Sequence, residues 1–227
     1  MGKKNIILVV GFVVLGLILA IFFLSPNQQS SNLTDNINAS RDLSSNIIFS
    51  TGVSANLEGD HILGSDNSEN IIVEYASLTC PHCATFHGDV FPRIKSELVD
   101  TGKVKYIFRD YPIDPLAMAG SMIAHCSGDA MYFGVIDVLL KTQEEWLFDN
   151  ENPYNGLLKV ARLAGLSEED VKLCLSNTEL FNMIEGNQRL ASSRFGVNST
   201  PAVFVNNKKI SSLDFDTILT ELGISKD

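Results

Sequence analysis

The longest apolar stretch of the chain covers residues 6–24 and contains no charged side chain. A helix of this length spans roughly 30 Å, which matches the hydrocarbon core of a bilayer. Lys3 and Lys4 precede the stretch, and positive charge tends to stay on the cytoplasmic side. We therefore expect residues 1–24 to form an uncleaved transmembrane anchor, with the rest of the chain in the periplasm or at the cell surface. A cleaved signal peptide is the alternative, although its apolar core is usually only about 7–15 residues long.

A polar segment rich in Ser, Asn, Gln and Asp covers residues 25–60. Such a composition buries too little apolar surface to fold alone, so it predicts a flexible tether. Residues 43–49 could instead form a short helix or an arm for self-association, which leaves an oligomer open. We expect the globular domain to cover residues 61–227.

The hydrophobic pattern of this domain alternates between strands and helices. The predicted strands are residues 71–75, residues 104–108 and a hairpin over residues 202–210. The predicted helices are residues 82–98, a helical block over about 115–194, and residues 214–222. Pro92 predicts a kink in the first of these helices. This order of elements predicts an α/β sheet with a helical insertion.

Composition and charge limit the kinds of molecule that this chain is expected to bind. The 227 residues carry a formal net charge of −10, and 45% of them are hydrophobic, which is enough for a real core. An acidic chain without a long basic run has no general attraction for nucleic acid or for an anionic lipid surface. We therefore expect no nucleic-acid partner.

The motif Cys80-Pro81-His82-Cys83 stands where the first predicted helix begins. Pro81 suits the first helical turn, where no N–H is needed. The helix N-terminus, and His82 if protonated, would stabilise a thiolate. A stabilised thiolate makes the corresponding disulfide a better oxidant. We expect Cys80 to be the exposed nucleophile and Cys83 the resolving thiol.

The same motif allows two other interpretations. Together with His82, His87 or His125, the Cys80 and Cys83 thiols could form half of a zinc site. However, the sequence has no second Cys-x-x-Cys motif or histidine pair at a suitable spacing. An inert structural disulfide is the other possibility. The strand-then-helix context favours a redox pair over both, and a redox pair needs no metal or cofactor.

Two further segments bear on this motif. Glu74 interrupts an apolar strand shortly before Cys80, so it either lies in solvent at the strand end or forms a buried acid beneath the dithiol. Thr200-Pro201 opens the later strand. A proline there is either an ordinary trans residue or a cis-proline at an edge that binds extended peptides.

Three segments of the sequence together resemble the DsbA-like branch of the thioredoxin superfamily, including its membrane-anchored bacterial members. They are Glu74–Cys83, Phe108–Pro112 and Gly196–Val205. The resemblance implies a thioredoxin fold with an inserted helical domain, with Cys80 as nucleophile and Cys83 as its partner. It also implies that Pro201 is cis and packs against the dithiol beside Thr200, and that Glu74 is the buried acid.

The resemblance further implies an extracytoplasmic protein-disulfide oxidoreductase that donates a disulfide to newly exported proteins. Its expected partners are reduced or misoxidised exported proteins. A membrane redox partner would recycle it, either a DsbB-like oxidase or a DsbD-like reductase. The alternative functions are an isomerase or reductase with the same site, and a tethered binding protein without turnover.

The remaining cysteines, Cys126 and Cys174, both lie in the helical block. An even number of cysteines permits a second disulfide, and export makes one plausible. We expect Cys126–Cys174 to be a structural disulfide, while two buried free thiols or a second redox pair remain open.

Overall fold

The computed structural model describes residues 52–148 and 152–225. The anchor expected at residues 1–24 lies outside these residues, as does the arm considered at residues 43–49. None of the helices within the two described ranges combines the length and the hydrophobicity of a membrane span.

The sheet of the described domain has the strand order β1-β3-β2-β4-β5. Its strands are β1 (His61–Leu63), β2 (Asn70–Ala76), β3 (Val104–Asp110), β4 (Ala202–Val205) and β5 (Lys208–Lys209). A helical crossover joins β2 to β3, which allows these two strands to be parallel, whereas β1 and β4 pair antiparallel with them. β2 lies in the middle of the sheet and is buried along almost its whole length. A functional group on β2 is therefore shielded from water.

Helices surround this sheet and supply the predicted insertion. They are α1 (Pro81–Asp89), α2 (Phe91–Arg93), α3 (Pro115–Cys126), α4 (Asp129–Lys141), α5 (Gln143–Leu147), α6 (Pro153–Leu163), α7 (Glu168–Leu175), α8 (Thr178–Phe195) and α9 (Phe215–Leu222). The predicted kink is confirmed, since α1 ends at Asp89 and Pro92, which has no N–H to donate, lies in the next turn. A π-helical segment, Ile94–Val99, completes the crossover. Helices α3 to α8 separate β3 from β4, so the predicted α/β sheet with a helical insertion is confirmed.

The two faces of the sheet belong to different cores, because alternate residues of a strand point in opposite directions. On β2, Ile72 and Ala76 pack into the larger core with α1 and the insertion, whereas Val73 and Tyr75 pack on the other face with α8. Glu74 alternates with the second pair. Its carboxyl group therefore points into the larger core.

The packed domain extends N-terminally of the expected boundary at residue 61. Val53 is buried, and the carbonyl oxygens of Val53 and Ala55 accept hydrogen bonds from the Arg109 guanidinium at 2.8 and 2.6 Å. The same guanidinium forms an ion pair with Asp60 at 2.7 Å, and both of these side chains are buried. These contacts hold the segment from Val53 to Asp60 against β3.

Candidate active site

Cys80 lies at the N-terminus of α1, directly after β2 and a short turn. Its backbone is extended, and its carbonyl oxygen accepts hydrogen bonds from the N–H groups of Cys83 and Ala84 at 3.0 and 3.2 Å. Pro81 occupies the first turn, where its missing N–H costs nothing. The Cys-Pro-His-Cys motif thus forms a helix start, where free N–H groups stabilise negative charge.

The Cys80 thiol faces the loop that precedes β4. Its Sγ donates a hydrogen bond to the Thr200 carbonyl oxygen at 3.4 Å, and the peptide bond between Thr200 and Pro201 is cis. This contact joins segments 120 residues apart. The expectation of an exposed nucleophile was wrong for this dithiol form, because Cys80 is only 5% exposed with Thr200 against its sulfur.

Cys83 is a free thiol that is completely buried within the first turn of α1. Burial raises the pKa of the Cys83 thiol, and the nearby Glu74 carboxylate raises it further. Cys83 therefore keeps its proton unless a base close by accepts it.

Glu74 is completely buried on β2, so of the two placements that the sequence left open the structure has the buried one. Burial raises the pKa of its carboxyl group to about 7, and a hydrogen bond from the Tyr106 hydroxyl to Oε2 opposes this shift. Oε1 has no hydrogen-bond partner among the described residues. An acid with this pKa can both accept and release a proton near neutral pH.

A groove of about 380 Å³ lies beside the dithiol. Its lining includes His82, Phe86, Val90, Pro201 and Leu213. His82 is exposed, whereas the Phe86 side chain is buried. A largely apolar groove next to the cis-proline loop suits the side chains of an extended peptide.

A match to a protein-family model shows the family to which this chain belongs. A family model described as "Thioredoxin" matches residues 56–222, which is well over half of the chain. The chain belongs to the thioredoxin family.

Relatives of this thioredoxin-family chain include proteins named as protein-disulfide oxidoreductases. A Rickettsia conorii protein named "Putative protein-disulfide oxidoreductase" is 33% identical over 165 residues, which are 72% of this chain and 59% of that protein. A Rickettsia typhi protein with the same description is 30% identical over 195 residues, 85% of this chain and 70% of that protein. The match therefore covers less than two thirds of the Rickettsia conorii protein.

A solved structure agrees with these relatives. The crystal structure of Wolbachia pipientis alpha-DsbA1 is 28% identical, has a TM-score of 0.69, and covers 75% of this chain and 92% of its own. The resemblance to the DsbA-like branch of the thioredoxin superfamily is thereby confirmed.

One polar side chain of the insertion reaches this thioredoxin-type site without a sequence signal to predict it. Gln143 is buried, and its side-chain amide donates to the carbonyl oxygens of Leu78 at 2.8 Å and Cys80 at 3.1 Å. Gln143 thus holds the turn between β2 and α1. It stands 63 residues beyond Cys80 in the chain, and only the packing of α5 brings it to the site.

The other two cysteines of the thioredoxin domain form a disulfide, so the structure excludes the two free thiols that the sequence left open. The Cys126–Cys174 bond joins the end of α3 to α7. Its surroundings are apolar, with Met118, Met122 and Ile184 in the same cluster.

Two of the three histidines considered for a zinc site bond to carboxylates elsewhere. His87 is buried and its Nε2 lies 2.9 Å from Asp137 Oδ1, while Nε2 of His125 lies 2.9 Å from Asp110 Oδ2. Within the two described ranges, no group of three or more His, Cys, Asp or Glu side chains could hold a metal ion.

Proposed function

We propose that this chain is an extracytoplasmic thiol–disulfide oxidoreductase that donates the Cys80–Cys83 disulfide to exported proteins. The observation that carries the proposal is that three groups lie close together at the start of α1. These groups are the Cys80 sulfur, the Thr200 carbonyl before a cis-proline, and the buried Glu74 that acts on Cys83. The names of the Rickettsia relatives support the same chemistry.

The reaction starts from the disulfide form of the pair. A substrate thiolate attacks Cys80 Sγ, the Cys80–Cys83 bond breaks, and a mixed disulfide joins Cys80 to the substrate. Cys83 leaves as a thiolate and takes a proton from Glu74, because burial favours the neutral thiol.

Release of the product completes the exchange. A second substrate thiolate attacks the substrate sulfur of the mixed disulfide, so the substrate gains a disulfide and loses two electrons. Cys80 leaves as a thiolate at the N-terminus of α1, where free N–H groups stabilise the charge. The enzyme is left as the Cys80, Cys83 dithiol.

Two features support a location outside the cytoplasm. Residues 1–24 have the length and flanking charge of a membrane anchor. The Cys126–Cys174 disulfide suits an oxidising compartment, where structural disulfides persist. A DsbB-like membrane oxidase is the partner that we propose for reoxidation of the dithiol.

The decisive experiment replaces Cys80 by serine in the 227-residue chain and follows the oxidation of a reduced test protein. We expect Cys80→Ser to reduce oxidation to the uncatalysed rate. The matched control is the double variant Cys126→Ser/Cys174→Ser, which also loses cysteines but keeps the proposed site. Unchanged activity of Cys80→Ser would refute the proposal, and a mostly reduced Cys80–Cys83 pair in cells would refute the oxidising direction.

A further inference from the structure

The two carboxyl oxygens of Glu74 have different surroundings. Oε2 accepts a hydrogen bond from the Tyr106 hydroxyl, whereas Oε1 has no partner within the described residues. Both side chains are completely buried. A buried carboxyl oxygen without a partner is costly, so the asymmetry calls for a functional explanation.

The sheet register brings Tyr106 to Glu74. Glu74 pairs with Phe108 and Ile72 pairs with Tyr106 across the parallel strands β2 and β3, so Glu74 and Tyr106 are diagonal neighbours on one face. The Tyr106 ring packs against Phe91, with ring centroids 4.9 Å apart. The hydroxyl group is therefore held in place by the core.

The Tyr106 hydroxyl acts as a fixed donor. Burial and the Glu74 carboxylate raise the pKa of Tyr106 well above its usual value, so the hydroxyl keeps its proton. The other titratable groups facing this cluster are Cys80 and Cys83 from α1 and Tyr132 from α4. β4 places the apolar Val203 opposite Glu74 and adds no charge.

We infer that Tyr106 is a positioning residue for proton transfer, since it occupies Oε2 and thereby directs the mobile proton of Glu74 to Oε1. This inference rests on the proposed function. Loss of the Tyr106 hydroxyl would free Oε2 and remove a donor that stabilises the carboxylate, which raises the pKa of Glu74. At neutral pH, a smaller fraction of Glu74 would then be the carboxylate that can accept the Cys83 proton.

The step that reports on this transfer is the resolution of a mixed disulfide on Cys80. The proton of Cys83 passes to Glu74 Oε1, and the Cys83 sulfur attacks Cys80 Sγ. The Cys80–Cys83 bond forms while the bond from Cys80 to the substrate breaks. The cysteine pair is oxidised, and the substrate sulfur is reduced and leaves as a thiolate that takes a proton from water.

The test uses the 227-residue chain with glutathione attached to Cys80 and follows glutathione release as a function of pH. For the wild type, the rate should rise with an apparent pKa near that of Glu74, about 7. Tyr106→Phe should raise this apparent pKa by about one unit and slow release at neutral pH about fivefold, since a hydrogen bond to the carboxylate is lost. Tyr132→Phe is the matched control, because Tyr132 is equally buried but donates to Asp110 at 3.3 Å.

Two outcomes overturn the inference: a Tyr106→Phe profile that coincides with the wild type, and a Tyr132→Phe shift as large as that of Tyr106→Phe. If Tyr106→Phe does not fold, site-specific replacement of Tyr106 by 3-fluorotyrosine keeps the ring and makes the hydroxyl a stronger donor. It should lower the apparent pKa, and an unchanged profile would overturn the inference. A wild-type chain that never releases glutathione overturns the proposed function itself.

Discussion

The two cysteine pairs of this domain have opposite surroundings. Cys80 and Cys83 share one helical turn, with a backbone carbonyl against the first sulfur and a buried acid acting on the second. Cys126 and Cys174 join two helices of the insertion among methionine and aliphatic side chains. A helix N-terminus and a proton acceptor favour exchange at the first pair, whereas we expect the apolar surroundings of the second pair to favour a structural crosslink.

The largest expected effect comes from removing the resolving thiol. In Cys83→Ser, Cys80 can still attack a disulfide of an oxidised substrate, which breaks that disulfide and joins one substrate sulfur to Cys80. No internal thiol can then displace the substrate, so Cys80-linked mixed disulfides should accumulate. Mass mapping under non-reducing conditions measures the adducts. The Cys126→Ser/Cys174→Ser variant should accumulate none. Equal adduct levels in the two variants would refute the predicted difference in reactivity between the two cysteine pairs.

The second pair should affect stability instead of exchange. Replacing Cys126 and Cys174 by serine opens a loop with a sequence separation of 48 residues. The loop-entropy model gives a loss of about 4 kcal/mol in the free energy of unfolding. Denaturant unfolding measures this loss, and the exchange rate of the folded variant should equal that of the wild type. Slower exchange by folded protein would show that the disulfide also tunes the active pair.

A third prediction concerns Glu74, the buried acid that acts on the Cys80–Cys83 pair. Burial raises the pKa of Glu74 from 4.5 to about 7, so Glu74 favours the protonated folded state. Its contribution to stability is complete below the pKa that Glu74 has in the unfolded chain. This contribution is lost as the pH rises through the pKa that Glu74 has in the folded protein. At a pH above both values, Glu74→Gln should therefore raise the free energy of unfolding by about 3 kcal/mol relative to the wild type.

Asp110→Asn is the matched control for that substitution. Burial would raise the pKa of Asp110, but hydrogen bonding, chiefly from His125, holds it below its usual value. Asp110 therefore contributes stability at neutral pH that is lost as pH falls, which is the opposite dependence. Asp110→Asn should destabilise the domain at the pH where Glu74→Gln stabilises it. Equal signs in denaturant unfolding would refute the electrostatic difference between the two carboxylates.

The parts of the site that the sequence predicted are those that lie close together in the chain. Cys80 and Cys83 follow from one motif at a helix start. Glu74 stood out as a polar residue in an apolar strand, but only the family resemblance favoured its burial. Local pattern could not decide between cis and trans at Pro201, which only the family resemblance favoured. Tyr106 needed the register of β2 on β3, so periodicity alone could not identify it.

The smallest predicted effect concerns Gln143, which contacts the reactive pair but not the crosslinked one. Gln143→Met keeps the length of the side chain and leaves the carbonyl oxygens of Leu78 and Cys80 without this donor. The free energy of unfolding should fall by about 2 kcal/mol. Thiol–disulfide exchange through Cys80 should also slow, because the turn between β2 and α1, which positions Cys80, loses two hydrogen bonds.

The matched control for this effect is Gln188→Met. Gln188 donates to the Pro112 carbonyl at 2.8 Å, and within the described residues its side chain does not bond to the turn before α1. Its loss should lower stability without slowing exchange by the folded protein. Denaturant unfolding and the rate of test-protein oxidation together measure both effects. If both variants slow exchange to the same degree, general loosening of the insertion explains the result, and Gln143 has no specific influence on the reactive pair.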